Sequence, residues 1–316
     1  MRNLAIIIPA FKEKYLRETL ESLSNQTNKD FNVYIGDDCS PHNLVDIVTD
    51  FDNLLSITYK RFDYNLGSTD LVAHWNRCVG LVAAEEWIWM FSDDDLLDIN
   101  CVELFYSAVK QNTSCKLWHF NVRIIDDSKN LIKETNDYPT YLTSLEFFNK
   151  RINYELDSFV VEYIINKQHF LNLGAFDSFD LAWAADDAAW IKFGDDYGIY
   201  TIPSAYVYWR LSGQNISSIE NDKGILLRKL ESNIEYLKFA NGFFSGSNIV
   251  ENESQFRWIF KKISTSRCFS FIEKIKLASY TKKRLSFNRD ILSTIFFILT
   301  SELKLVKKQI LTLPSR

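Results

Sequence analysis

The sequence is poor in the residues that interrupt regular structure, with 10 Gly and 5 Pro among 316 residues. That scarcity excludes a collagen-like or low-complexity chain and predicts dense secondary structure joined by short loops. Histidine is also sparse. His42, His74, His119 and His169 have no metal-ligand spacing and read as structural. The five cysteines, Cys39, Cys78, Cys101, Cys115 and Cys268, are odd in number and scattered, without a C-x-x-C pair. They argue against a disulfide framework and a zinc site, and they suit free thiols in a reducing compartment. Met1-Arg2-Asn3 runs straight into a strand-like segment, with no secretory signal ahead of it. The longest apolar run, near Ile295–Leu299, is too short to span a bilayer. The expectation is a cytosolic protein, soluble or peripheral on the inner face of the membrane. No G-x-S-x-G, Walker or G-x-G-x-x-G loop is present.

What is present describes a folded globular chain: 47% hydrophobic, 24% charged and 15% aromatic side chains. A chain this long can bury one large core or a core plus an appendage. The formal charge of -5 argues against a general nucleic-acid partner. It hides an asymmetry, because residues 251–316 carry 14 Lys/Arg against 5 Asp/Glu while the first 250 carry 22 against 36. An acidic body is followed by a basic tail region.

Hydrophobic patterning orders the elements. Leu4–Ile8 is a buried strand ended by Pro9, and Leu16, Leu20 and Leu23 form one face of a helix. Strands at Phe31–Ile35, Ile57–Lys60 and Trp87–Phe91 alternate with helices at Leu44–Phe51 and Leu71–Ala84. This alternation predicts an α/β fold with a mostly parallel sheet covered on both faces. Further strands are expected at Lys116–Ile125, Val160–Ile165 and Tyr200–Arg210, with a loop entering a helix over Trp183–Gly194. The pattern turns helical after about Asn221, so the domains are read as 1–220 and 221–316. In that second region Phe256, Ile259, Phe260 and Ile263 share a face, as do Leu292, Ile295, Phe296, Leu299, Leu303, Val306 and Ile310.

Ligands of such sheets sit beyond the carboxyl ends of the strands, and acidic clusters stand at two of those ends. Asp93-Asp94-Asp95 leaves the Trp87–Phe91 strand, and three adjacent carboxylates repel one another unless a cation or solvent screens them. A D-x-D pair there can hold Mg²⁺ or Mn²⁺ with substrate phosphates. The plainer alternative is a solvated loop with Asp98 capping the next helix. Asp37-Asp38 ends the second strand and could accept hydrogen bonds from a nucleobase or ribose, or simply form a turn. Asn65-Leu66-Gly67-Ser68 could line a nucleotide site, or start a helix with Ser68 or Thr69 as N-cap. Asp186-Asp187 lies among small residues and Trp183 and Trp190, where burial could raise a carboxylate pKa for general-base work. The alternative is an acidic helix start that complements the dipole. Trp75, Trp183 and Trp190 are candidate pocket-lining residues.

Ile6-Ile7-Ile8-Pro9-Ala10-Phe11, the Leu20–Thr27 helix segment E-S-L-S-N-Q-T and Phe31–Ser40 together resemble the start of a family 2 glycosyltransferase. The resemblance continues through Asn65-x-Gly67, the aspartate triplet and the D-D-x-x-W segment at 186–190, covering residues 3–215 in order. It implies a GT-A, Rossmann-like fold and an inverting hexosyl- or N-acetylhexosaminyl-transfer from a nucleotide-diphosphate sugar, UDP-linked, to a glycan or lipid-linked acceptor in surface-polysaccharide synthesis. It further implies a donor site of Pro9, Ala10, Phe11, Glu13, Asp37, Asp38, Asn65, Gly67, Asp93, Asp94 and Arg210. Asp93 and Asp95 would bind a divalent metal (Mn²⁺ or Mg²⁺). Asp187 would be the general base, beside Asp186 where the family commonly has Glu. Three positions depart from the family pattern. Lys12 stands where Asn is common, Ser92 replaces the first acid of a D-x-D-D, and Ser212 stands at the His of a late R-x-H segment. Two other classes fit an acidic nucleotide-type site: a metal-dependent sugar nucleotidyltransferase and a non-catalytic carbohydrate- or partner-binding module. The first would show a glycine-rich basic loop after the first strand, which Pro9–Tyr15 lacks. In the tail region the basic run Lys274, Lys276, Lys282, Lys283 and Arg284, with Lys304, Lys307 and Lys308, flanks an amphipathic helix from Asp290 that could meet an anionic membrane, or whose apolar stripe could pack on the catalytic domain or a second subunit with the lysines solvated.

Overall fold

The computed structural model of the chain describes residues 3–213, 215–245, 252–287 and 293–301. Two compact units divide it, Met1–Asn215 and Ile216–Arg316. The first unit opens with β1 (Leu4–Ala10), α1 (Leu16–Ser24), β2 (Phe31–Asp37), α2 (Leu44–Thr49), β3 (Ile57–Arg61), α3 (Leu71–Val79) and β4 (Trp87–Met90). It continues with β5 (Leu96–Leu97), α4 (Cys101–Gln111), β6 (Leu117–Ile125), β7 (Leu131–Glu134), β8 (Tyr141–Leu142) and α5 (Ser144–Ile152). β9 (Tyr163–Asn166), α6 (Lys167–Asn172), α7 (Ala185–Phe193) and β10 (Ile199–Arg210) complete it.

All ten strands join one sheet in the order β3-β2-β1-β4-β9-β6-β10-β5, with β7 on β6 and β8 on β10. β1 to β4 pair in parallel, β6 and β10 pair in parallel, and β9 runs antiparallel between β4 and β6. The central strands are near-continuous apolar runs because helices cover both faces. Ile6, Ile8, Val33, Ile35 and Trp89 are fully buried in one core with Leu16, Leu20 and Leu23 of α1. The winding runs outward from β1 to β3 and then places β4 on the other side of β1. The carboxyl ends of β1 and β4 therefore flank the switch point, where ligands of such sheets bind.

Pro9 does not end β1, which runs on to Ala10 alongside β2. It ends only the pairing with β4. The Phe91 N–H donates to the Ile7 carbonyl, and the next rung would need an N–H at residue 9, which proline lacks. The Ser92–Asp95 turn leaves the sheet at that point. Two helix starts also differ from the sequence reading. The N-cap of α3 is Asp70, which accepts the Ala73 N–H, so neither Ser68 nor Thr69 has that role. Asn100 precedes α4, and Asp98 instead accepts the Tyr206 N–H and the Tyr208 hydroxyl, tying the turn to β10.

The second unit contains α8 (Lys223–Phe243), α9 (Asn252–Thr265) and α10 (Phe271–Arg284), with helical backbone over 293–301. Phe256, Ile259, Phe260 and Ile263 are buried as their spacing requires. Asp222 caps α8, and a Ser270/Glu273 capping box starts α10.

Candidate active site

Three loops meet at the ends of β1 and β4, and hydrogen bonds fix each of them. Asp93 Oδ2 accepts the backbone N–H groups of Phe11 (2.8 Å) and Lys12 (2.7 Å), so it holds the turn after β1. The Ser40 hydroxyl donates to the Phe11 carbonyl from the loop after β2. Asp95 points inward: one oxygen accepts the Arg210 N–H (2.6 Å) and the other the Ser92 hydroxyl (2.6 Å). Asp94 shares that single Ser92 proton on one oxygen, at the longer distance of 2.9 Å, and pairs with the Lys12 ammonium on the other. Burial raises the pKa of Asp93 and Asp95, with the Asp94 charge adding to it. Burial alone would lower the Lys12 pKa, but Asp93, Asp94 and Asp95 outweigh it and the net shift is upward, so the ammonium persists at neutral pH.

The acidic triplet thus already carries a cation. Lys12 Nζ lies beside Asp94 Oδ2, 3.5 Å from Asp93 Oδ1 and 3.0 Å from Asn215 Oδ1. Among the described residues no three His, Cys, Asp or Glu side chains converge as a metal site. The donor set expected for a divalent ion, Asp93 with Asp95, does not fit one in this arrangement. Both oxygens of Asp95 and one of Asp93 accept protein N–H or O–H groups. The remaining Asp93 oxygen faces Lys12.

Arg210 lies behind this site. Its side chain is 0% exposed and donates to the carbonyls of Asp94, Asp126 and Asp127 and to Glu18, with the Tyr15 ring beneath it. It braces the triplet from within, where the sequence reading had it reach the donor. Glu13 faces His42 (3.1 Å) at the rim of an open cleft of about 760 Å³ lined by Phe11, Lys12, Lys14 and Arg17.

The second cluster lies at the ends of β2 and β3. Asp37 accepts the Ser40 N–H, the Tyr59 hydroxyl and the Arg61 guanidinium. Asp38 accepts the N–H groups of Leu66 and Gly67, both at 2.8 Å, and pairs with Arg77. A Cβ on Gly67 would stand 2.6 Å from Asp38 Oδ2, which is why glycine occupies the loop. Asn65 accepts the Ser68 N–H and closes the same turn. Sequence reasoning missed Arg77. Its guanidinium stacks 3.8 Å from the Phe62 ring centroid and approaches Tyr64. The available signal was a basic residue one turn beyond His74, on the face of α3 that carries buried His74 and Cys78.

Asp186 and Asp187 open α7. The approach is strained, because Leu181, Ala182 and Ala184 all have φ between 53° and 68°, left-handed backbone that costs non-glycine residues about 1 kcal/mol or more each. Arg151 from α5 clamps Asp187 bidentately, with both bonds at 2.8 Å, and gives a third N–H to the Leu156 carbonyl. Asp186 remains partly exposed and accepts the Asp187 N–H. Burial and the adjacent Asp187 charge push its pKa up to about 7. A chain of contacts links α7 to β10, the strand that ends at Arg210. The Phe159 ring stacks on Trp209 at 4.4 Å, one residue before Arg210, and the Phe159 carbonyl accepts the Trp190 indole N–H. Trp190 itself is core, stacked on Tyr163, so it lines no pocket. Trp75 makes an edge contact with Phe176. The sequence reading also passed over Glu162, a buried acid that accepts the Phe159 N–H on one oxygen and has no hydrogen-bond partner on the other.

With this geometry in view, comparison with known proteins is informative. No curated protein matches the sequence. Solved structures of similar fold include S. aureus TarS 1–349 in complex with UDP-GlcNAc, at 17% identity and a TM-score of 0.60, over 97% of this chain and 92% of that one. The UDP complex of the same protein gives a TM-score of 0.57 at the same identity and coverage. GalNAc-T7 with UDP, GalNAc and Mn²⁺ gives 0.56 at 10% identity, over 90% of this chain and 54% of that one. Likeness at such identities establishes the GT-A-like fold alone. The model of glycosyl transferase family 2 matches residues 5–164, half of the chain. The nucleotidyltransferase and binding-module alternatives fall with that match. The chain belongs to glycosyl transferase family 2 and is a glycosyltransferase.

Proposed function

We propose that the protein transfers a hexose or N-acetylhexosamine from a UDP-linked donor to a hydroxyl of a glycan or lipid-linked acceptor, with inversion at the anomeric carbon. The observation that carries this reading is the acidic pair at the start of α7, clamped by Arg151, on a helix that Trp190 and Phe159 link to Trp209, next to the Arg210 that braces the triplet. A sugar hydroxyl is a poor nucleophile, so a carboxylate must take its proton as it attacks. Arg151 holds Asp187 in a fixed orientation through two hydrogen bonds, and burial beside Asp187 raises the pKa of Asp186 to about 7. Attack from the face opposite the departing diphosphate inverts the centre in a single step. Phe11, Lys12, Asp93 and Asp94 would cradle the diphosphate, with Pro9 and Ala10 forming the floor. Asp37, Asp38, Asn65 and Gly67 would shape the nucleoside end, with Arg77 over the base. The UDP and UDP-GlcNAc bound to TarS, and the UDP bound to GalNAc-T7, support a uridine donor. Incubation of the protein with a panel of UDP-sugars and acceptor glycans tests the reading. Release of UDP coupled to a product of inverted anomeric configuration by NMR is expected, and no transfer from any nucleotide sugar would reject it.

The second unit supports contact with an anionic surface. Phe271, Ile272, Tyr280, Phe296 and Leu299 are exposed apolar side chains, Ile272 at 66% and Phe296 at 68%, and Lys276 and Lys283 are exposed as well. Two members of the expected basic run are spent internally. Lys274 is buried and donates to the Ser264 carbonyl, and Arg284 pairs with Glu231 and Glu235. Lys304, Lys307 and Lys308 lie outside the described residues. Among the described residues no helix is long and apolar enough to cross a membrane.

A further inference from the structure

We infer that Lys12 is the cation for the donor diphosphate in this chain, so that nucleotide binding proceeds on a lysine ammonium where a divalent metal was expected. The inference rests on the nucleotide-sugar reading above and deepens it. Its first support is position. Lys12 follows β1 at the switch point, and its own N–H is anchored on Asp93, so the start of the side chain is fixed. Its second support is the accounting of acceptors around the triplet. The Arg210 N–H occupies one oxygen of Asp95, the Phe11 and Lys12 amides occupy Asp93 Oδ2, and the single Ser92 hydroxyl proton is shared between the other Asp95 oxygen (2.6 Å) and Asp94 Oδ1 (2.9 Å). Asp93 Oδ1 and Asp94 Oδ2 remain, and both face the Lys12 ammonium. A metal bound to these two oxygens would meet a positive charge already in place. Third, an ammonium has three donors. Asp94 and Asn215 accept two of them, Asp93 Oδ1 stands farther off at 3.5 Å, and the side chain keeps 25% of its surface exposed beside the open cleft, so a phosphate oxygen entering there would compete only with that longer contact for the third. Asn215 is itself held by the Arg210 carbonyl, so the ammonium sits in a built cradle.

The test is UDP binding by calorimetry to the full-length protein, with chelator or with millimolar Mn²⁺, so the readout does not depend on turnover. Wild type is expected to bind UDP in chelator, with affinity changing less than about threefold on adding Mn²⁺. Lys12→Asn removes the ammonium and opens the two acceptors, so its UDP affinity in chelator falls by about tenfold or more, as for loss of a charge-assisted contact, and Mn²⁺ restores it. Lys12→Arg keeps the charge and retains binding in chelator. Thermal melts confirm that both variants fold. Wild-type binding that requires Mn²⁺, or a Lys12→Asn variant that binds in chelator like wild type, overturns the inference. Failure of wild type to bind UDP under either condition overturns the nucleotide-sugar reading beneath it, a result distinct from either of those.

Discussion

Replacing Asp187 by Asn probes the chemistry most directly. The amide keeps the shape of the side chain, but it cannot accept a proton and turns one N–H₂ towards the Arg151 guanidinium. Loss of a general base typically costs about 10²–10⁴ in rate, equivalent to about 3–5 kcal/mol in the barrier. A structural cost accompanies it, because one arm of a largely buried bidentate pair becomes donor against donor. With Arg151 still 21% exposed, that cost is discounted to about 1–3 kcal/mol, a drop of several degrees in Tm but no unfolding. Donor affinity should stay within about threefold, since the loss falls on kcat. Asp186→Asn should behave differently. Burial and the adjacent Asp187 charge raise the pKa of Asp186 to about 7 in the fold. The kcat/KM profile should therefore rise with pH through an apparent pKa near 7 in wild type. In Asp186→Asn the limb near 7 should be lost, because the group that titrates there has gone. The same shift has a stability signature. A carboxyl whose pKa is raised on folding favours the native state below its unfolded pKa, and that contribution is lost as pH rises through about 7. The assay is UDP release across pH 5–9 for wild type and both variants, with melts alongside. An active Asp187→Asn beside a dead Asp186→Asn would move the base by one residue and refute the assignment.

Three further outcomes follow from the geometry. Asp95→Ala orphans the buried Arg210 N–H while Ser92 keeps Asp94 as its acceptor, so it should destabilise the fold by about 1–3 kcal/mol in urea denaturation; unchanged stability would mean the inward carboxylate is dispensable. Gly67→Ala puts a methyl group 2.6 Å from Asp38 Oδ2, displaces the loop over the nucleoside end and should weaken UDP binding by about tenfold; UDP titration at wild-type affinity would separate that loop from the donor site. The full chain should sediment with anionic liposomes at low salt and be released at high salt, at about 1 kcal/mol per basic residue near the surface. No binding at low salt, or undiminished binding after deletion of residues 270–316, would reject the membrane contact.

The first half of the sheet was legible because its signals are local. Leu4–Ile8 and Trp87–Phe91 are apolar runs of strand length, Leu16, Leu20 and Leu23 fall at helical spacing, and the acidic clusters follow strand ends. The second half was harder. β7 and β8 lie in a stretch with few periodic apolar residues, and β9 runs antiparallel between strands that run the other way, a pairing no local pattern encodes. The candidate site divides along the same line. Sequence located the carboxylates but not their partners, because the partners arrive from far along the chain: Arg151 for Asp187, Arg77 for Asp38, the Arg210 backbone for Asp95. Those distant groups determine what each acid can do. Asp95 could be read as a metal ligand while its surroundings were unknown, and becomes a brace once both its oxygens are occupied. Lys12, which looked like a departure from a familiar pattern, becomes the charge around which the other groups are arranged.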